Sequence, residues 1–464
     1  MTRNVTIAIL AAGLGTRMKS KKAKVLHRAG GFTLVEHVIR AAQKVAEPDD
    51  IVTVVGHQAD QVRATVAHMG VRFAEQTEQK GTGHALSMCR PALEGSGELL
   101  IVLYGDGPLL RGQTLETLVA RHRASGAAAT VVTTILDDPS GYGRIVRDSA
   151  GNVQAIVEQK AASEEQKAIR EINSGLYCFN AELVWKHIGE IGPNPASGEY
   201  YLTDIVEILR GHGHVVAPML VEDSAELLGI NTRVELAQVD RIFRERKVQE
   251  LMLSGVTIER PETVTVDPDV IIGRDTVVGP FCQILGRTVI GEDCMVGAGS
   301  IIKDSTIEDA VMIDAYTLVG TSHVERDAHL GPFSRLRMEN RVEQGAHIGN
   351  FVELKKTRLG RGSKSMHLAY LGDSDIGSKV NVGAGTITCN YDGTKKHQTK
   401  IGAGAFVGSN STLVAPVEVG DESYIAAGSV ITDAVPGDAL ALGRARQVVK
   451  EGWPSKRKMA ASRK

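Results

Sequence analysis

Apolar positions along this chain follow two different rhythms. Through about residue 230, short apolar runs alternate with amphipathic stretches. Thr6–Leu10 is an apolar run that ends in a glycine-rich loop, and Ile51–Val55 is a second, followed by a turn at Gly56. Leu99–Tyr104 is a third, stopped by Gly105-Asp106-Gly107-Pro108, and Thr130–Ile135 is a fourth. Helical spacing lies between them, at Leu34–Ala46 and Thr114–Ala124. Strands alternating with helices predict an α/β domain with a mainly parallel sheet covered on both faces. Ligands of such sheets bind at the C-terminal ends of the strands, which is where the glycine-rich loop and Asp106 fall. From Asn231 to Leu253 the pattern predicts one long amphipathic helix, apolar at Leu236, Val239, Phe243, Val248 and Leu251, with Ser254-Gly255 as its stop.

From about residue 264 the period becomes six. Ile272, Val278, Ile284, Ile290, Val296 and Ile302 are aliphatic at that spacing, and after a one-residue slip Ile307, Ile313 and Val319 continue it. The series runs on through Leu330, Leu336, Val342, Ile348 and Leu354, and returns at Ile401, Val407, Leu413, Val419, Ile425 and Ile431. Glycine often follows the aliphatic residue, as at Gly273, Gly279, Gly291, Gly297, Gly349, Gly402, Gly408 and Gly420. Six is neither a helical nor a simple strand period; it is the hexapeptide repeat of a parallel β-helix. Each hexapeptide is one side of a triangular prism, its aliphatic residue points inward, and glycine is expected to relieve the corner backbone. The interruption at about Asn390–Lys400 predicts an inserted loop, and long loops of this kind carry binding. The expected division is 1–230, a connecting helix over 231–255, and 256–464.

Composition narrows the functional classes. A chain of 464 residues implies two or three domains. Aromatics at 4% and 50 glycines suit tightly repeated turns. A formal net charge of -2 gives no global case for nucleic-acid or membrane binding, and no apolar run reaches bilayer length. The apolar N-terminal stretch runs into Gly and Arg without a secretory cleavage pattern, so it is expected to be a buried strand. Five scattered cysteines (Cys89, Cys178, Cys282, Cys294, Cys389) without a Cys-x-x-Cys fit free thiols in a reducing cytoplasm.

The loop Leu10-Ala11-Ala12-Gly13-Leu14-Gly15-Thr16-Arg17-Met18 follows the first strand. Its glycines let backbone amides approach phosphate oxygens, and Arg17 adds charge. The dinucleotide fingerprint fails at Met18, and no Gly-Lys-Ser/Thr of a P-loop follows. Followed by Lys24-Val25-Leu26, the run resembles the signature of sugar-1-phosphate nucleotidyltransferases. Further matches come in order: Gln79-Lys80-Gly81-Thr82-Gly83-His84-Ala85, Leu103-Tyr104-Gly105-Asp106, Gly141-Tyr142-Gly143-Arg144-Ile145, Val157-Glu158-Gln159-Lys160, Ile172-Asn173-Ser174-Gly175 and Gly229-Ile230-Asn231. In the other half stand Arg335-Leu336-Arg337, Gly349-Asn350-Phe351-Val352-Glu353, Met366-His367-Leu368-Ala369-Tyr370-Leu371-Gly372-Asp373 and the run from Gly383 to Gly393. Together these resemble the bacterial bifunctional N-acetylglucosamine-1-phosphate uridyltransferase/glucosamine-1-phosphate N-acetyltransferase family, over almost the whole chain. One departure is the Lys22-Ala23 pair, where the family usually has Leu-Pro.

The resemblance implies a Rossmann-like nucleotidyltransferase sheet joined by the helix to a left-handed β-helix. It implies attack of a sugar-1-phosphate oxygen on the α-phosphate of UTP, with Mg²⁺ held by Asp106 and Asn231. Arg17 and Lys24 would hold the triphosphate, and Gln76, Gly81 and Thr82 the uracil. Gly143, Glu158 and Asn173 would hold the sugar, with further substrate contacts from Leu10, Ala11, Ala12, Gly13, Tyr104 and Gly105. Taken singly these residues have plainer readings: Asp106 as a turn former, Lys24 as a solvated lysine, Asn231 as a helix N-cap, Tyr142 as packing.

Acetyl transfer from acetyl-CoA to the amine of glucosamine-1-phosphate needs a base and oxyanion donors. His367 is the candidate base, with Glu353, fourteen residues earlier, expected to orient its ring. Arg337 and Lys355 would bind the substrate phosphate, with Tyr370, Asn381 and Lys396 as further contacts. Ala384, Asn390, Tyr391, Ser409, Ala427 and Arg444 map onto acetyl-CoA and active-site positions, and Ser409 and Asn390 are both candidate oxyanion donors. Cys389 is assigned no chemistry. The basic tail (Lys450, Lys456, Arg457, Lys458, Arg463, Lys464) is expected to be flexible and solvated. The resemblance further implies a cytoplasmic homotrimer making N-acetylglucosamine-1-phosphate and then UDP-N-acetylglucosamine for the bacterial cell envelope. Two other readings stay open: a single-activity nucleotidyltransferase whose β-helix is a scaffold, and a catalytically dead regulatory relative.

Overall fold

The computed structural model describes residues 4–159, 162–195 and 197–461, in two units, Met1–Phe243 and Arg244–Lys464. Lys160, Arg463 and Lys464 lie outside the described residues. Nine strands build the sheet of the first unit: β1 (Val5–Leu10), β2 (Ile51–Val55), β3 (Arg72–Glu75), β4 (Leu99–Tyr104), β5 (Ala129–Ile135), β6 (Arg144–Arg147), β7 (Val153–Val157), β8 (Glu171–Asn180) and β9 (Val216–Leu220). Their order is β9-β5-β8-β4-β1-β2-β3, with the hairpin β6–β7 attached beside β8. β1 lies parallel to both β2 and β4, with Ile7 opposite Ile51 and Ile101. All six residues of β1 are buried, because helices cover both faces and every second residue feeds a different core.

The seven-strand run is mainly parallel, as expected, with β8 as its one antiparallel member, and the β6–β7 hairpin adds further antiparallel pairs, so the sheet as a whole is mixed. β8 runs antiparallel to β4 and β5 and shifts register between Asn173 and Tyr177. Asn173-Ser174-Gly175 interrupt its apolar pattern, which hides the strand from a periodicity reading.

The connecting helix spans Arg233–Leu253. Its cap is Thr232, not Asn231: Glu235 N–H donates to Thr232 Oγ1 (3.2 Å), and Glu235 Oε2 accepts from the N–H groups of Thr232 (2.8 Å) and Asn231 (2.5 Å). The Asn231 side chain is thereby left for the site. Val239 packs in a cluster with Met18 and Leu34, whereas Val248 and Leu251 belong to the core of the second unit.

The second unit is a left-handed parallel β-helix whose strands fall into three parallel sheets of 11, 10 and 9 strands. Val278, Val296, Ile313, Leu330 and Ile348 stack in register. None of the inward residues read from the sequence is more than 6% exposed. The core has further members that the six-residue count skips. Val324, Leu359 and Ile376 follow five-residue steps, and Ser365 occupies an aliphatic slot between Ile348 and Val382. The glycines after the aliphatic residues serve stacking rather than corner conformation. A Cβ at Gly273 would lie 2.6 Å from Gly291 C, and one at Gly349 would lie 2.1 Å from Met366 O, both backbone atoms of the next coil. Left-handed conformation falls instead on bulky corner residues, among them Phe281, Tyr316, Phe333, Phe351 and Leu368. Residues Trp453–Ala461 of the tail form an exposed helix. No helix among the described residues is long and apolar enough to cross a membrane.

Two candidate active sites

Parallel pairing of β1 with β4 sets Leu10 opposite Tyr104, and Gly105 N–H donates to Leu10 O (2.9 Å). The loops after both strands therefore leave the sheet together. Ala11 N–H is tied to Val54 O (3.0 Å) and His57 N–H to Ala12 O (3.4 Å), so the start of the loop is held on the sheet edge. Gly15 turns the loop at φ +61°, where a Cβ would lie 2.6 Å from Lys24 Cβ. At Gly13, by contrast, a Cβ would meet nothing within 4 Å.

Four polar side chains converge beyond this loop. Lys24 Nζ pairs with the Asp106 carboxylate and also reaches Asn231 Oδ1 at 3.3 Å. Arg17 Nη2 donates to the same Asn231 oxygen at 2.8 Å. Ile230 N–H donates to Asp106 O (3.0 Å), which joins the two metal-candidate segments through the backbone. Arg17, Tyr104, Asp106 and Asn231 line a cavity of about 270 Å³. Tyr142, Ser174, Leu176 and Leu227 line it too, and sequence reasoning gave none of them a role there.

The base and sugar candidates meet at Tyr104. Its phenol hydrogen-bonds Thr82, and burial holds its pKa well above the usual value. Thr82 Oγ1 accepts from Leu202 N–H (2.9 Å). Gly81, at φ +100°, leaves no room for a Cβ, which would lie 2.6 Å from Tyr200 O. Gln76 is buried, and its Nε2 reaches Gly81 O (3.1 Å) and His84 Nδ1 (3.0 Å). On the opposite side Gly175 packs under the Tyr104 ring, where a Cβ would lie 2.3 Å from the ring edge. Gly143, Glu158 and Asn173 form the remaining group. Asn173 N–H donates to Gly143 O (2.9 Å), and a Cβ at Gly143 would lie 3.5 Å from Glu158 Oε1. Burial, and then the Asp204 carboxylate, push the Glu158 carboxyl above its usual range.

In the β-helix, stacking of coils collects residues that are far apart in sequence. Leu368 N–H donates to Asn350 O (3.0 Å), Gly385 N–H to His367 O (3.3 Å), Asn410 N–H to Ala384 O (2.7 Å) and Gly428 N–H to Ser409 O (2.8 Å). His367, Ala384, Ser409 and Ala427 therefore succeed one another along one edge of the prism. Arg444 follows, its Cδ 3.9 Å from a Cβ placed at Gly428. Below His367 the same edge carries a ladder of stacked rings, Tyr316 to Phe333 at 5.2 Å and Phe333 to Phe351 at 5.6 Å.

A second group lies on the neighbouring face. Glu353 pairs in register with Tyr370, and Lys355 with Gly372. The Asn390 amide nitrogen donates to the Asp373 carboxylate, an acid that the sequence analysis quoted without giving it a role. A Cβ at Gly372 would crowd both Tyr370 OH (2.5 Å) and Asn390 Nδ2 (2.7 Å). The Lys396 ammonium lies beside that of Lys355, which lowers its pKa. Two adjacent cations, a phenol and an amide make this patch suited to a phosphate.

The expected Glu353–His367 contact is not formed. Glu353 Oε1 accepts from Arg337 Nη1 (3.2 Å), and Oε2 faces Arg335 Nη1 (3.8 Å). His367 is set opposite Asn350 in a different sheet. Asn381 is half-buried between Lys364 and Phe406 in the sheet that carries His367. The inserted loop is ordered by Asp392, whose carboxylate accepts from Thr394 N–H (2.7 Å) and Lys395 N–H (2.6 Å) and pairs with His397 Nε2 (2.7 Å). Tyr391 is exposed there, its hydroxyl donating to Gly393 O (2.5 Å).

Comparison with known proteins matches both halves. Residues 7–171 match the MobA-like NTP transferase domain, and residues 269–304 and 398–433 match the bacterial transferase hexapeptide (six repeats). The bifunctional protein GlmU of Solibacter usitatus (strain Ellin6076) is 60% identical over 461 residues, 99% of each chain. That of Koribacter versatilis (strain Ellin345) is 50% identical over 465 residues, 100% of this chain and 99% of the other. That of Pelobacter propionicus (strain DSM 2379 / NBRC 103807 / OttBd1) is 48% identical over 451 residues, 97% of this chain and 98% of the other. Because these matches, at 48–60% identity, cover 97% or more of this chain and of each relative, this chain belongs to the GlmU family of bifunctional proteins.

Proposed function

We propose that the chain makes UDP-N-acetylglucosamine by two transfers, one in each unit. The β-helix acetylates glucosamine-1-phosphate with acetyl-CoA. The α/β unit transfers UMP from UTP to N-acetylglucosamine-1-phosphate and releases pyrophosphate. The observation that carries the reading is the presence of both assemblies in one chain: oxygens of Asp106 and Asn231 converging on Lys24, and the edge that stacks His367, Ala384, Ser409 and Ala427.

In the first site Asp106 and Asn231 would hold Mg²⁺. Both donors are hard oxygens, and a cationic group, the Lys24 ammonium, already fits between them. When bound, the ion neutralises charge on the phosphates. Arg17 and Lys24 neutralise the rest, and the open space at Gly13 lets the loop backbone approach the triphosphate. The attacking sugar-phosphate oxygen is already anionic, so positioning by Gly143, Glu158 and Asn173 is what the protein must supply.

In the second site the amine of the sugar attacks the thioester carbonyl and its proton passes to His367; collapse of the tetrahedral adduct then breaks the C–S bond and releases CoA, whose sulfur takes that proton. Ser409 is assigned as oxyanion donor, since it shares the His367 edge while the Asn390 amide is engaged by Asp373. Lys355, Lys396 and Arg337 bind the phosphate, and Ala384, Ala427 and Arg444 line the path for acetyl-CoA. Glu353 holds Arg337. The exposed ring ladder with Leu368 supports a homotrimer in which this edge meets a neighbouring copy. Unpaired cysteines support a cytoplasmic setting.

Free-thiol release from acetyl-CoA, with glucosamine-1-phosphate present and UTP absent, tests the reading. Release that needs the amino sugar and collapses in His367→Ala is expected. No release from protein that still forms pyrophosphate would make the β-helix a scaffold. Light scattering on the eluting protein should give three chains, and a monomer would remove the trimer.

A further inference from the structure

Three side chains outside both sites converge where two helices of the first unit end. His187 closes the helix Ala181–His187, Glu190 lies in the following turn Ile188–Glu190, and His212 follows the helix Asp204–Gly211. His187 Nδ1 is 2.6 Å from Glu190 Oε1, and His212 Nε2 is 2.9 Å from Glu190 Oε2. The two imidazoles overlap with centroids 4.1 Å apart, and the His214 ring is 6.1 Å from that of His187. One donor atom from each of His187, Glu190 and His212 lies within 4.8 Å of the others, the one such trio of His, Cys, Asp and Glu found among the described residues.

We propose that this cluster binds one divalent ion of the zinc class, through His187 Nδ1, the Glu190 carboxylate and His212 Nε2, with a fourth position open to water. Neither transfer reaction uses these residues. Two imidazoles and one carboxylate suit a borderline-soft ion and reject Mg²⁺, so the site is chemically distinct from the oxygen pair of Asp106 and Asn231. His187 is fixed by burial, its side chain 4% exposed, while Glu190 and His212 are each 47% exposed and give the ion a way in. Both histidines sit at helix C-termini, where the carbonyl ends favour a cation. The present N···O separations of 2.6 and 2.9 Å must open to roughly 3.3 Å, the spacing of ligands about 2.0–2.1 Å from a tetrahedral ion. That is a shift of less than about 1 Å, and two of the three side chains are free to make it.

One feature limits the affinity. His187 Nε2 is buried without a hydrogen-bond partner, so its N–H finds no acceptor once Nδ1 holds the ion. A missing partner of this kind weakens metal sites by about 10–100-fold. The site should therefore bind measurably but release its ion to a strong chelator.

The test uses the full untagged chain, stripped with chelator and dialysed, and Zn²⁺ titrated in competition with a chromogenic chelator. The wild type is expected to take up one equivalent that His212→Ala and Glu190→Gln bind at least about tenfold more weakly. Both substitutions lie at half-exposed positions, and circular dichroism checks their folding. Co²⁺ in place of Zn²⁺ should give visible absorption of a four-coordinate site in the wild type and none in His212→Ala. Zn²⁺ should also raise the unfolding temperature of the wild type alone, since the ion ties two helix ends together. Equal uptake by wild type and His212→Ala, or none by either, overturns the proposal, and uridylyl and acetyl transfer need not change in either outcome.

Discussion

Ala23 offers the sharpest test of how the nucleotide loop is held. The family usually has proline where this chain has Ala23, yet Ala23 keeps a proline-like φ of -54° immediately before Lys24. Gln58 accounts for it. Its Oε1 accepts from Ala23 N–H at 2.7 Å, and its Nε2 donates to Lys21 O at 2.5 Å, so one side chain clasps the loop on both sides. A proline at 23 has no N–H for that clasp. Gln58 itself sits in left-handed conformation at φ +56°, at a cost of roughly 1–2 kcal/mol for a non-glycine residue. Gln58→Gly removes that cost but adds glycine's own entropic penalty of about 0.5–1 kcal/mol, so the backbone changes partly cancel. The remainder is two hydrogen bonds worth about 0.5–1.5 kcal/mol each. Net destabilisation should be about 1–2 kcal/mol, and kcat/KM for uridylyl transfer should fall about tenfold, equivalent to about 1.4 kcal/mol, as Lys24 loses its fixed origin. Adding Ala23→Pro should restore much of both by stiffening the loop where φ already permits it, a gain of about 0.4–1 kcal/mol. Ala23→Pro alone should harm, because Gln58 then faces a ring without a donor. Pyrophosphate release reads the four proteins of the cycle, with acetyl transfer by the β-helix as internal control. A Gln58→Gly protein that folds and transfers UMP at the wild-type rate would refute the clasp as the positioning device.

Three other outcomes follow from particular contacts. Gly13→Ala has room within the protein, so its urea midpoint should stay within about 0.5 kcal/mol of wild type, while KM for UTP rises; unchanged KM would mean the phosphates do not pass there. Glu158 has a raised carboxyl pKa, so its contribution to stability is complete below the usual value near 4.3 and is lost as pH rises through the folded value. Glu158→Gln should therefore gain on the wild type between pH 4 and pH 7 in urea melts, and a constant difference would contradict the burial of that carboxyl. Burial pushes the thiols of Cys89 and Cys178 up to about 12 and also raises those of Cys282 and Cys294. Half-buried Cys389 should be the first to take an aromatic disulfide reagent, with loss of acetyl transfer because its strand leads into Asn390. Early labelling elsewhere by mass spectrometry would count against this.

What the sequence exposed was whatever repeats along one dimension. The β-helix core was legible because each aliphatic residue faces the same environment six residues on. It disappeared from view where the step shortened to five, at Val324, Leu359 and Ile376, and where Ser365 took an aliphatic place. Those shortened steps also decide which side chains become neighbours. Fourteen residues separate Glu353 from His367, but register sets Glu353 opposite Tyr370 and His367 opposite Asn350, in different sheets. No count along the chain predicts that without the slips. The direction of β8 was equally hidden, since a strand reads alike forwards and backwards and its Asn173-Ser174-Gly175 bulge broke the pattern. Asn231 and Thr232 are both good caps by type, and only the Glu235 carboxylate decided between them.

Both candidate sites hold their polar groups against local acids. Lys24 rests on Asp106, Arg337 on Glu353, and the Asn390 amide on Asp373. A bare cation kept ready in a cavity would be pulled towards water, and its side chain would sample many rotamers. A carboxylate partner keeps each donor in one place and exchanges for a phosphate of like charge. The exchange replaces one charge-assisted hydrogen bond by another, so little of the phosphate's binding energy goes into ordering the protein. The Lys24–Asp106 pair is partly buried, at 15% and 19% side-chain exposure, where such a contact is screened less than on the surface. In the first site the released acid would have a second use, because the carboxylate that holds Lys24 is also the one proposed to hold Mg²⁺. Arrival of metal and phosphate together would leave every charge paired, whereas either alone would strand one, which makes binding of the two cooperative by electrostatics.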